Sequence, residues 1–187
     1  MRRMIQTLMA IPLALAGALI AAPAYAHFVP APCDFITGGG WVLEGGAKVN
    51  FGAHGGCKNG AFWGHVNVVH HGFNPPAHLK STSITGYLMD PAFPTARDIC
   101  GHGEVDGGAG TFTVLFRVRL EDNGEPGGDD RFGLRLSNGY DLSTRELGPP
   151  GPTGGGGNIQ LHKPNNSTTG PSPAPTEAEM CGGLPTP

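Results

Sequence analysis

Over residues 111–120 the chain alternates: Phe112, Val114, Phe116, Val118 and Leu120 fall on one side, Thr113, Arg117 and Arg119 on the other, with Leu115 out of step. A period of two is that of a half-buried strand. Residues 131–137 repeat it, with Phe132, Leu134 and Leu136 set against Arg131, Arg135 and Ser137. The two segments predict a hairpin joined by the acidic connection between them. Six weaker segments carry strand patterning, at 35–42, 47–53, 61–69, 79–89, 99–105 and 156–162. No stretch after residue 26 sustains an apolar period of 3.6. Eight short strands with turn residues between them predict an all-β fold in one domain, an antiparallel β-sandwich or open barrel.

The ends read differently. Arg2 and Arg3, a long apolar run and "AYA" at 24–26 make residues 1–26 a signal peptide, cut after Ala26 or, by the same small-x-small rule, after Ala24. The apolar run is short for a membrane span and no second one follows, so no membrane insertion is expected after cleavage. Residues 27–34 form a lead-in, 35–162 the β domain, and 163–187 a flexible tail rich in Pro, Ser and Thr, with too few apolar residues to bury. The export signal predicts a secreted, periplasmic or cell-surface location.

Composition adds two constraints. The 32 Gly and 18 Pro, spread among apolar segments, fit many turns between short strands. Without Arg2 and Arg3, ten Lys and Arg stand against fifteen Asp and Glu, a formal net charge of −5. That excludes non-specific nucleic-acid binding. Cys33, Cys57, Cys100 and Cys181 give an even count in an exported chain, hence two disulfides with three possible connectivities. Cys33 with Cys181 and Cys57 with Cys100 is the favoured pairing, because the first two flank the core.

Several segments, in order, resemble a known family. "FITGGGWV", "KVNFGA", the stretch from His71 through His78 into "STSITGY", "DNGEPGGDDRFGLRLSNGY" and "GGGNIQLH" are similar to the post-COAP domain, a small β-rich module of bacterial secreted and surface proteins. The resemblance implies an all-β exported module with no assigned enzymatic activity. Cys57, Cys100 and the insert "PPGPTG" at 149–154 depart from the pattern and imply a stand-alone, disulfide-stiffened version.

Four constellations are candidates for chemistry. Asp122, Asn123, Glu125, Asp129 and Asp130 supply oxygen ligands of the kind calcium takes, on a loop bent by Gly124, Gly127 and Gly128. The spacing is not that of an EF-hand, and Asn123-Gly124 and Pro126-Gly127 also make a plain turn, which is the favoured reading. Calcium is the one cofactor considered for the module. His65, His70, His71 and His78, with His54 and His102 elsewhere, are a candidate zinc or copper set. Arg117, Arg119, Arg131 and Arg135 share the outward face of the hairpin and suit acidic glycans or an acidic protein partner. His27, if it begins the mature chain, resembles the amino-terminal copper ligand of polysaccharide monooxygenases, which makes a copper enzyme the alternative function. No G-x-S-x-G elbow, Walker loop or H-E-x-x-H motif is present. The leading expectation is therefore a non-enzymatic exported module with a structural, adhesive or ligand-binding role, partnered by an extracellular protein or glycan.

Overall fold

The structure, a computed structural model of the chain, describes residues 26–108, 110–148 and 155–187. The expected signal peptide, apart from Ala26, and the insert at 149–154 lie outside the described residues. Nine strands form one antiparallel sheet: β1 Phe35–Glu44, β2 Ala47–Lys58, β3 Ala61–His70, β4 Ala77–Asp90, β5 Phe93–Gly107, β6 Gly110–Glu121, β7 Arg131–Leu136, β8 Asp141–Glu146 and β9 Gly156–His162. β1 to β8 are paired in sequence order as a meander, and β9 returns to pair with β1 on the far side. The predicted hairpin is β6 and β7, with Phe116 opposite Leu136 and Leu120 opposite Phe132. β8 carries a single large apolar side chain, Leu142, and is the strand that alternation did not reveal.

The sheet curls so that its two ends face one another. Phe51 on β2 and Phe132 on β7 stack with centroids 4.0 Å apart, although four strands, β3 to β6, separate them in the ladder. The buried core takes side chains from all nine strands, among them Ile36, Val49, Val66, Leu79, Ile99, Phe116, Leu134, Leu142 and Ile159. This is the sandwich-like, open-barrel architecture that the strand pattern predicts. Tight curvature needs inward positions without side chains. A Cβ at Gly38 would lie 2.7 Å from Ile159, and one at Gly101 would lie 2.1 Å from the Ser83 carbonyl oxygen.

The disulfides are Cys33 to Cys57 and Cys100 to Cys181. This corrects the favoured pairing, and the reason is register. Phe35 lies opposite Gly56 and the Cys57 N–H donates to the Asp34 carbonyl, so the lead-in runs along the end of β2 and brings Cys33 beside Cys57. Cys100 faces outward from the middle of β5, where a short helix α1 (Glu177–Cys181) packs on the sheet. Two disulfides belong to an oxidising, extracellular type of compartment. Among the described residues no helix is long and apolar enough to cross a membrane.

The segment 163–187, expected to be a flexible tail, is instead fastened along its length. Asn59 and Gly60 N–H groups donate to Ser167 and Thr169 carbonyls, Thr85 donates to the Met180 carbonyl, and Thr144 donates to that of Pro187. A capping box between Thr176 and Glu179 opens α1, and Gly182 closes it in the left-handed region. Met180 and Cys181 are buried with Leu88 and Cys100 in a second small core on the outer face of β4 and β5.

The acidic connection closes the sheet. β9 is an edge strand whose Ile159 and Leu161 N–H groups point away from β1, and an unpaired edge is a liability. The Asp130 carboxylate accepts from the Ile159 N–H at 2.6 Å and the Asn123 N–H at 2.8 Å; Asp122 accepts from Leu161 at 2.7 Å and Gly124 at 3.2 Å. Glu125 accepts from the Asn158 amide, and the Asn123 amide donates to the Asp129 carbonyl. The carboxylates of Asp122 and Asp130 are thus committed to main-chain donors. That corrects the calcium reading, since a cation site needs several oxygens converging on one point. Among the described residues no group of three or more His, Cys, Asp or Glu side chains is placed to hold a metal. Burial pushes the Asp130 carboxyl up, against the pull of its two N–H donors.

Asp130→Asn keeps the shape but offers one carbonyl oxygen to two N–H donors. The expected loss, measured by denaturant unfolding at unchanged slope, is about 1–3 kcal/mol. Millimolar calcium and EDTA are expected to leave the midpoint of the unaltered protein where it is.

Candidate functional site

The two halves of the outer sheet face differ. Over β4, β5 and β6 the face is covered by the lead-in, α1 and the tail, and the groups beneath are charged. Arg117 is 1% exposed and bonds Asp98 at 3.0 Å through Nε and Glu177 at 2.7 Å through Nη1. Arg119, 3% exposed, bonds Asp90 and Glu121, each at 2.7 Å. His27 completes the cluster, with Nε2 3.2 Å from Asp90 and Nδ1 3.0 Å from Glu177. Arg131 and Arg135 stay nearer the surface, where Glu146 and Asp141 pair with them. The proposed anion face is therefore corrected: two of its four arginines are buried, and carboxylates of the same chain hold all four. The copper reading of His27 fares similarly, because carboxylates surround the ring and its main-chain nitrogen donates to Glu177 at 3.1 Å.

The histidines of the metal reading do not converge. His70 Nε2 meets Glu44 at 3.0 Å, His71 meets Asn50, His78 meets Asn67, and His65 Nδ1 meets Ser81. What the ladder does bring together is His54 and His65, directly opposite one another on β2 and β3 with centroids 6.3 Å apart. Partial burial, and then the neighbouring His65, lower the His54 pKa and so favour its uncharged ring.

That pair lies on the other half of the outer face, which none of the described residues covers. Register sets its rows. Gln160, Thr37, His54 and His65 form one row across β9, β1, β2 and β3; Asn158, Gly39, Gly52 and Asn67 form the next. Together they line an open trough of about 550 Å³. Gly39 and Gly52 are its floor. A Cβ at Gly52 would meet nothing within 4 Å, and one at Gly39 would make only ordinary contact, at 3.6 Å. Neither glycine is there for its backbone freedom, since neither has a positive φ. Aromatic rings stand at both ends. Phe35 stacks on His162 at 4.3 Å and sits 6.0 Å from Trp63, while Trp41 lies in the row beyond Gly39 with Lys48 over its ring.

No carboxylate lines this trough. Its chemistry is that of amides, imidazoles and a hydroxyl, groups that both donate and accept, beside flat apolar rings. Sequence reading singled out His54 and His65 but not Thr37, Asn67, Asn158 or Gln160. The available signal was outward polar residues at alternate positions, as in "HVN" and "NIQ", which only acquires meaning once register sets the strands side by side. Family models, curated proteins and solved structures yield no match to this chain.

The charged cluster under the tail has a definite pH response. Burial alone would raise Asp90 and Glu177, but hydrogen bonds and charge from Arg119 and Arg117, respectively, outweigh it and hold both carboxyls below their ordinary values. Depressed carboxyl pKa values contribute stability that is present above the ordinary range, about pH 4 to 4.5, and lost as pH falls through the folded values. Thermal midpoints recorded against pH should decline on the acid side, and Glu177→Gln should lower the neutral plateau while flattening that decline.

Proposed function

We propose that this chain is an exported, non-enzymatic β-sandwich module that binds a neutral glycan along the trough between β9 and β3. The observation that carries the reading is the asymmetry of the outer face. One half is sealed by the lead-in and tail, while the described residues leave the other bare, floored by glycine and walled by hydrogen-bonding side chains without a carboxylate or guanidinium group. Three inter-strand spacings give the trough a length of roughly 14 Å, room for about three sugar rings in a row. Amide and imidazole groups match hydroxyls that donate and accept, and Trp41, Trp63 and Phe35 offer apolar surface to the ring faces. The absence of acidic and guanidinium groups among the lining residues favours a neutral glycan over a charged one. Kinship with post-COAP modules belongs to the same proposal, supported by the ordered motifs and the all-β fold. So does delivery by the signal peptide to the cell surface or medium, which the two disulfides support.

The test is binding to neutral and acidic polysaccharides by affinity electrophoresis and on a glycan array. Gly52→Val places a branched side chain on the open floor, at a strand position that accommodates it. The expected result is retention by at least one neutral polysaccharide, weakened tenfold or more by Gly52→Val at an unchanged thermal midpoint. No retention by any neutral glycan, or equal retention by the variant, would overturn the proposal.

A further inference from the structure

The interior of the curled sheet is plugged at one end and open at the other. At the plugged end Asp34 bonds Arg97 and the Tyr87 hydroxyl, and Arg97 also donates to the Pro94 and Ala96 carbonyls. At the open end no such plug exists among the described residues, and a cavity of about 260 Å³ enters between the two halves. Its walls are apolar, built from Val68, Leu79, Val105, Leu134 and Leu136, with Phe73 and Phe112 at the rim. Both rim phenylalanines are unusually bare, 52% and 39% exposed. The cavity is separate from the trough, which lies on the outer face.

Its few polar groups define what fits. The His70 ring is fully used, its Nε2 toward Glu44 and its Nδ1 accepting from the Gly72 N–H at 2.9 Å. The Tyr140 hydroxyl donates to the same Glu44 oxygen at 2.6 Å, which leaves its oxygen free to accept. Asn138 accepts from the Tyr140 N–H through its carbonyl, which leaves its amide N–H₂ to donate. The mouth thus offers one acceptor, one donor and a nearby carboxylate, and none of its lining residues is Lys or Arg. We propose that this cavity binds a neutral, largely apolar small molecule with one hydroxyl or carbonyl at its end. The volume admits about nine non-hydrogen atoms, at roughly 30 Å³ for each water-sized group. A carboxylate-headed ligand is disfavoured by Glu44.

Titration calorimetry with 1-hexanol, 1-octanol and 1-decanol tests the proposal. Affinity should rise about fourfold per added methylene and stop rising once the chain exceeds about nine heavy atoms. Octanoate should bind at least tenfold more weakly than octanol. Ala77→Phe fills the cavity from its wall and should abolish binding. Nuclear Overhauser contacts from octanol to the Leu134 and Leu136 methyls give a readout on the unaltered protein. Absence of those contacts at saturating octanol, or octanoate binding as tightly as octanol, would overturn it.

A different observation carries a second inference. The cluster beneath the tail holds four carboxylates, Asp90, Asp98, Glu121 and Glu177, against two guanidiniums, Arg117 and Arg119. Burial of unbalanced charge is costly. His27 is the remaining member: its ring lies between Asp90 and Glu177, and a free amine on its main-chain nitrogen would bring a positive charge to the same carboxylates. That nitrogen already lies 3.1 Å from Glu177 Oε2. We infer that the chain is cut between Ala26 and His27, and that the new α-ammonium becomes a member of the buried cluster. Intact mass of the exported protein should give a start at His27, and its amine should titrate above the ordinary value of about 8. Protein that retains Ala26 should melt several degrees lower. A start at Tyr25, or equal melting with and without Ala26, would overturn it.

Discussion

Satisfying the N–H groups along the outer edge of β9 is the constraint on which this fold depends. A sheet of nine strands that curls without completing its own ladder leaves two edges facing each other across a gap. Here side chains span the gap. Asp122 and Asp130 reach from the connection between β6 and β7 to the N–H groups of Leu161 and Ile159. At the other end Arg145 donates to the Leu43 carbonyl and Tyr140 to Glu44. Main-chain bonds from Leu147 and Gly148 to the Asp130 and Gly128 carbonyls prolong the β7–β8 pairing and fix the acidic connection that makes the join. The curled core, the bare trough and the open mouth all follow from that closure, because each needs the two halves held at a fixed separation.

The chain's two ends answer a second problem. A single curled sheet has an inner face that packs on itself and an outer face with nothing to meet. Here the outer face is divided. The lead-in and tail cover β4 to β6, through a small apolar cluster around Met180 and the Cys100 disulfide and through the charged cluster around Arg117. The polar rows of β9, β1, β2 and β3 remain exposed. A short helix of five residues is stable there because it is capped, stapled and packed, and not through its own propensity.

How much of this was legible in the sequence follows from what alternation encodes. The hairpin of β6 and β7 was readable because Phe112, Val114, Phe116, Val118 and Leu120 mark an inner face without ambiguity. The same pattern misled about Arg117 and Arg119. Period two says which side chains oppose the core, and solvent is only the usual occupant of the other side. Covering that side fell to a tail whose few apolar residues, Met180 and Cys181 among them, gave no periodic signal. β8 was invisible because an edge strand with one buried leucine has nothing to alternate. The acids at 122–130 were recognised as a feature, but their partners are main-chain N–H groups some thirty to forty residues away, which composition cannot reveal. The disulfide pairing and the trough failed for a shared reason: both depend on register between strands.

The Cys100–Cys181 bond also determines how the molecule would respond to being pulled. A force applied beyond Cys181 passes through sulfur into the middle of β5 and never reaches the chain between them. β6 to β9, the acidic connection and most of the tail lie inside that covalent loop, whose ends are 81 residues apart in sequence. Tension is thus delivered to the middle of β5, flanked along its length by the ladders of β4 and β6. Extension is capped as well, because the loop cannot unravel while the bond is intact. Under such tension that wiring makes β6 to β9, with the acidic connection, spectators to the strain.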